Sequence, residues 1–169
     1  SRRRHTRSFH VTGVQTCALP ISVETLSPEQ LRRPAVSSFT SILDTLTHLY
    51  SGESLWYQRC SGHPSPARPD LSSLTDVQAV RAAWAPLERQ IRDLVDGLGA
   101  EGLMRTVEYK ALTGQLVASP YWQILAHMVN HGSYHRGQIA TLCRQVGGTP
   151  VKSRSEEHTS ELQSRETIS

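Results

Sequence analysis

Apolar residues recur at three- and four-residue steps along most of the chain. Between Val36 and Cys60 the positions Phe39, Ile42, Leu43, Leu46, Leu49 and Tyr50 keep this spacing, which predicts one helix with a single buried face. A second stripe, Val77, Val80, Trp84, Leu87, Ile91, Leu94 and Leu98, predicts another. Thr75 with Asp76 offers its cap, Pro86 predicts a kink or break inside it, and Gly97 and Gly99 predict its end. The best-defined helix is SPYWQILAHMVNHGSYHRGQIATLCRQVGG, with Ser119 as cap, Pro120 at the first helical position and Gly147-Gly148 as the stop.

Shorter signals fill the gaps. SPEQLRR at 27–33 reads as a capped turn, Ser27 capping and Pro28 opening it, and is taken as the remnant end of a further helix. SGHPSPARPD at 61–70 is a loop, because its prolines cannot continue a helix. In RTVEYKALTGQLVAS the period shortens, and the β-leaning runs on either side of Thr113-Gly114 predict a small hairpin. Three long helices and the remnant of a fourth predict an all-α fold, an antiparallel-type four-helix bundle with a small β-hairpin insertion.

The composition narrows the function classes. Hydrophobic residues make up 37% of the 169 and charged residues 20%, and no apolar run approaches the roughly 18 residues of a membrane span. No membrane partner is therefore expected. The three cysteines, Cys17, Cys60 and Cys143, are odd in number and lack CxxC spacing, which favours neither a disulfide framework nor a thiolate metal site and makes a cytoplasmic location the default.

The net charge of +3 is unevenly placed. Residues 1–22 hold four arginines and no acid, whereas residues 153–169 hold two arginines and four glutamates. VTGVQTCALPIS at 11–22 and SEEHTSELQSR at 155–165 resemble translated sequencing-adapter read-through, and both ends are set aside from functional reasoning. The chain then divides into 1–22, a helical domain at 23–152, and a tail at 153–169. With the arginines of the first segment goes the only basic cluster, so no nucleic-acid partner is expected.

The histidines carry the candidate chemistry. HMVNHGSYHRGQ places His127, His131 and His135 four residues apart. On a helix, residues i and i+4 lie about 40° apart around the axis and about 6 Å along it, so His131 and His135 can share one ion. His127 lies a further turn back, which suits a packed neighbour better than a ligand. A third donor must come from a facing helix, and His48 is the histidine inside another predicted helix, whereas His63 falls in the proline-rich loop. The ordinary alternative for each is a hydrogen-bonded core or surface histidine, and spacing alone leaves both readings standing.

LTHLYSGESLW at 46–56, followed much later by HMVNHGSYHRGQIATLCRQVGGTP at 127–150, resembles the DinB-like (damage-inducible) superfamily of four-helix proteins. The NHxxxHRGQ core with a helix ending in G-x-x-P is the more specific segment, and the resemblance covers about residues 24–152. It implies a divalent metal, zinc or nickel, held by His48, His131 and His135. It also implies that the first helix of the bundle is truncated or replaced here, and that the protein is a homodimer.

Three neutral imidazoles leave a coordination position open, as in catalytic rather than closed structural sites. HExxH peptidase chemistry is excluded, because Gly132, Ser133 and Tyr134 stand between the two histidines. Some branches of the superfamily resemble thiol S-transferases, which implies a small-molecule thiol and an electrophile as partners. The alternative is a non-catalytic metal-binding stress protein whose ion clamps two helices. Glu53 is the candidate catalytic or supporting carboxylate, with an ion pair to Arg136 as its ordinary reading. Asn130, Tyr134 and Gln138 are candidates to face the site. Trp56, Tyr57, Tyr121 and Trp122 are read as core or rim aromatics, and Cys60 and Cys143 as buried small residues.

Overall fold

A computed structural model describes residues 23–63, 66–111 and 113–149. The end tracts 1–22 and 150–169 lie outside the described residues, as do the expectations placed on them. Among the described residues the fold is mostly helical, with four α-helices and one two-stranded hairpin.

The order is α1 (Pro28–Arg32), α2 (Ile42–Cys60), α3 (Val77–Gly102), β1 (Thr106–Lys110), β2 (Leu116–Pro120) and α4 (Tyr121–Gln145). Helix α2 is the centre of the arrangement, packing against α1, α3 and α4 and touching β1. Its Ile42, Leu46 and Leu49 are fully buried and meet Val80 and Trp84 of α3 and Ile139 and Leu142 of α4 in one core. A smaller cluster, Cys60, Val107 and Ile124, seats the hairpin against α2 and α4. None of these helices is long and apolar enough to cross a membrane.

Local chemistry explains most boundaries. Helix α1 carries a full capping box: Ser27 Oγ accepts from the Gln30 amide while Gln30 Oε1 accepts from the Ser27 amide. Helix α2 starts at Ile42 rather than near Val36, because Ser41 is extended and caps it through the Asp44 amide. Val36 is 97% exposed, so the apolar phase that continues upstream of Ser41 reports no buried helical face. Asp76, and not Thr75, caps α3.

Two expectations about α3 are corrected. Pro86 does not break it: the residue sits on the solvent side, and so does Ala82, whose carbonyl loses its helical partner, so water can take the place of the missing N–H. The irregularity lies at Gly99, where φ is +60°, a left-handed conformation glycine adopts without penalty, and a last turn continues to Gly102.

The start of α4 is also corrected. Ser119 and Pro120 belong to β2, where Ser119 pairs with Val107 and Pro120 with Thr106. No side chain caps the helix; the Tyr121 and Trp122 amides donate instead to the Arg105 and Leu103 carbonyls at 3.0 Å each. The chain before the hairpin thus satisfies donors that a Ser or Thr cap would otherwise take. At the other end Gly147, with φ +81°, follows the last turn as expected.

Candidate metal centre

Helix α2 brings His48, and α4 brings His131 and His135, to one point. His48 Nε2 lies 3.1 Å from His131 Nε2, and His131 Nε2 lies 3.2 Å from His135 Nε2. One ligand nitrogen from each of the three falls within 4.8 Å of the others, and the trio is the cluster able to hold a metal ion among the described residues. Gly52 faces the His131 ring across the helix interface: a Cβ there would make ordinary van der Waals contact with it, at 3.5 Å from Cε1.

Gln138 sets the tautomer of His135. Its Nε2 donates to Ser38 Oγ at 3.1 Å and to Tyr134 Oη at 3.0 Å, so its Oε1 accepts from His135 Nδ1 at 2.6 Å. With the proton on Nδ1, His135 Nε2 presents a lone pair to the cluster. Whichever way protons are then placed on the neutral rings, one of the two contacts at His131 Nε2 lacks a hydrogen bond. A cation accepting all three lone pairs removes that conflict. Ligands about 2.0–2.1 Å from a tetrahedral ion lie about 3.3 Å apart, and the two measured separations come close to this. The donor set therefore fits a divalent ion.

The electrostatics favour neutral, metal-ready rings. Desolvation by burial, then the charge of His135, then those of His48, His127 and Arg68, push His131 down to about 4. His48 is lowered for the same leading reason, with His135 and Arg68 behind it. Phe39 lies over His48 with ring centroids 4.3 Å apart and reaches His135 at 5.6 Å, so it covers one side of these two rings. Neither Phe39 nor Ser38 was visible as a site residue, since Phe39 keeps the phase of the helix that follows and nothing local marks a lid.

The other candidates separate. His127 stays outside the cluster, as its extra turn predicts, stacking on His131 at 5.8 Å and meeting Trp56 edge-on at 5.4 Å. His63 is exposed in the loop, and Asn130 is exposed without a hydrogen bond to the site. Glu53 is 8% exposed, and its Oε2 accepts from Trp84 Nε1 at 2.7 Å. That bond ties α2 to α3, and no hydrogen bond joins Glu53 to the three histidines. Burial pushes its carboxyl up to about 7 against the opposing pull of the Trp84 bond and of Arg136. Arg136 itself donates to Ser133 Oγ at 2.7 Å, so its effect on Glu53 acts through space. Tyr121 Oη donates to the Cys60 carbonyl at 2.8 Å, Tyr57 packs on the core, and Trp122 is 42% exposed. Cys60 and Cys143 are buried, the Cys60 thiol pushed up to about 11 by desolvation, so neither is an activated nucleophile.

Removal of the Gln138 contact should be measurable. Gln138→Ala is expected to weaken ion binding by on the order of 10–100-fold, because the His135 ring loses the partner that fixes its proton. Competition against a chromophoric chelator reads this directly, and an unchanged affinity would show that packing alone orients the ring.

Comparison with known proteins agrees with this fold. The model of the DinB family matches residues 20–165, a span that runs past 23–152 on both sides. The chain is similar to Protein DinB of Bacillus subtilis (strain 168), 25% identical over 130 residues that cover 71% of this chain and 73% of that one. Its fold is similar to the crystal structure of a DinB-like protein from Bacillus cereus ATCC 10987, with a TM-score of 0.69 at 15% identity, covering 87% of this chain and 96% of the other.

Proposed function

Because the chain belongs to the DinB family, we propose that it holds a divalent ion, zinc or nickel, on His48, His131 and His135 and uses it in a thiol S-transferase type reaction on electrophilic small molecules. The observation that carries the reading is the meeting of three imidazole nitrogens from two helices, oriented by Gln138 and without a fourth protein ligand in the cluster. An ion bound by three neutral imidazoles keeps a position for an exogenous ligand and lowers the pKa of a thiol or water that takes it.

The protein's own part is positional. His48 comes from one helix and His131 with His135 from another, so the site exists only while α2 and α4 are docked. Phe39 covers one side of His48 with an apolar ring, which lowers the local dielectric there. The thiol sulfur forms the new bond to the electrophilic carbon, the leaving group departs with its electron pair, and the thiol proton passes to solvent.

A second reading follows from the same attachment. An ion bridging α2 to α4 is also a clamp, as a non-catalytic stress protein would use it. Titrating the cobalt-loaded chain with mercaptoethanol separates the two. A sulfur-to-cobalt charge-transfer band, together with consumption of chlorodinitrobenzene above the rate without protein, is the expected result for the transferase. A spectrum indifferent to thiol would leave the clamp.

A further inference from the structure

The loop after α2 is held in a way its composition does not call for. Gln58, near the end of α2, donates from Nε2 to the Ala67 carbonyl at 2.9 Å and accepts the Ala67 amide on Oε1 at 3.0 Å. This reciprocal pair pins one residue of a proline-rich segment to the helix. The next residue, Arg68, turns back along α2, and its Nη1 donates to Ser51 Oγ at 3.0 Å. Ser51 is 1% exposed, lies one turn beyond His48, and adjoins Gly52, which faces the His131 ring.

Arg68, an exposed residue, is thus anchored to α2 one turn from His48, and its charge acts on His48, His131 and Arg59. Among the described residues its other two guanidinium nitrogens make no hydrogen bond, and no carboxylate pairs with Arg68 or Arg59. Arg59 is already engaged, lying over the Trp56 and Tyr109 rings at 4.7 and 4.9 Å and donating to the Lys110 carbonyl. Trp56 in turn meets His127, which stacks on His131.

Ordering this exposed arginine costs side-chain entropy and holds a cation near imidazoles that would carry a dication, with one neutral hydroxyl as its protein partner and water for the rest. An anion would offset both. We propose that this site takes a carboxylate-bearing small-molecule thiol, its sulfur at the open position and its carboxylate on Arg68, with the Trp56 and His127 rings as an aromatic wall. The inference rests on the metal-site reading above. Arginine suits the task, because its planar fork matches a carboxylate bidentately.

The test uses the cobalt-loaded chain, wild type against Arg68→Ala, titrated with mercaptosuccinate and separately with mercaptoethanol, with binding read from the cobalt spectrum. Comparing the two chains for each thiol cancels the thiols' own acidities. The variant is expected to keep one cobalt per chain and an unchanged circular dichroism spectrum. It should bind mercaptosuccinate on the order of tenfold more weakly, with mercaptoethanol unaffected. Equal mercaptosuccinate affinity in both chains, or equal losses for both thiols, overturns the role of Arg68 and leaves the metal site standing. If the wild-type chain takes up no cobalt, or takes it up and binds neither thiol, the metal or open-site reading itself falls, and this inference with it.

Discussion

Replacing His131 and His135 together by alanine will take the metal content of the purified chain from near one divalent ion to none, read by plasma mass spectrometry beside a circular dichroism check. Two of three donors leave, and His48 alone cannot hold a divalent ion against water. Stability should follow the ion. A ligand present at about a thousand times its Kd stabilises the folded state by about 4 kcal/mol. At about 2–4 °C per kcal/mol for a chain of this size, that is a Tm shift of roughly 8–16 °C. A chelator should therefore lower the wild-type Tm by that amount and leave the double variant unmoved. The comparison matters because His135 is 4% exposed and its truncation also opens a cavity. Only the chelator-sensitive part belongs to the ion. A folded wild-type chain that carries no metal, and takes up none from added zinc or nickel, would end the metal-centre reading.

Glu53→Gln should stabilise the protein at alkaline pH and change little in acid. The carboxyl is 8% exposed, and desolvation raises it from 4.5 to about 7. Below about pH 4.5 the group is protonated in both folded and unfolded chains, and its contribution is fully present. Between the two values the unfolded chain has released its proton while the folded one retains it, so stability falls as pH rises. Above about 7 the loss is complete, at about 3 kcal/mol for a shift of this size. The amide of glutamine imitates the neutral carboxyl and keeps an oxygen for the Trp84 N–H, which lies 2.7 Å away. At pH 8 the variant should melt several degrees above the wild type, and at pH 4 the two should coincide. A difference in Tm that does not change with pH would mean that the buried carboxylate is compensated in some other way. The outcome also bears on chemistry, since a carboxyl serving only to dock α2 on α3 can be replaced without loss of thiol binding.

The histidine pair on α4 was legible in one dimension, because the helical repeat alone puts residues four apart on one side. His48 was different in kind. Its choice rested on being the histidine within another predicted helix and on the resemblance of LTHLYSGESLW, and the distance of 3.1 Å to His131 comes from the docking of α2 on α4. Glu53 shows the limit from the other direction. Its place near the histidine-bearing stretch suggested a part at the metal, but the helix rotation turns it toward Trp84, 31 positions later in the chain. No pattern in the sequence selects that partner.

The boundaries sort in the same way. Gly147 and the cap at Asp76 follow from φ preference and side-chain hydrogen bonding, which act over a few residues and can be read locally. Ser119 and Pro120 have the same local signature, yet strand pairing with Val107 and Thr106 claims them and the preceding backbone caps α4. By itself the sequence determined the helical periodicity, the hairpin around Thr113-Gly114 and the His131–His135 pair, since each depends on spacing along one element. The tertiary structure alone decided the meeting of His48 with that pair, the Gln138 network that sets a proton, the cover of Phe39 and the placement of Arg68. Each of these depends on how rotated and docked elements meet, and that is a balance of packing over the whole core.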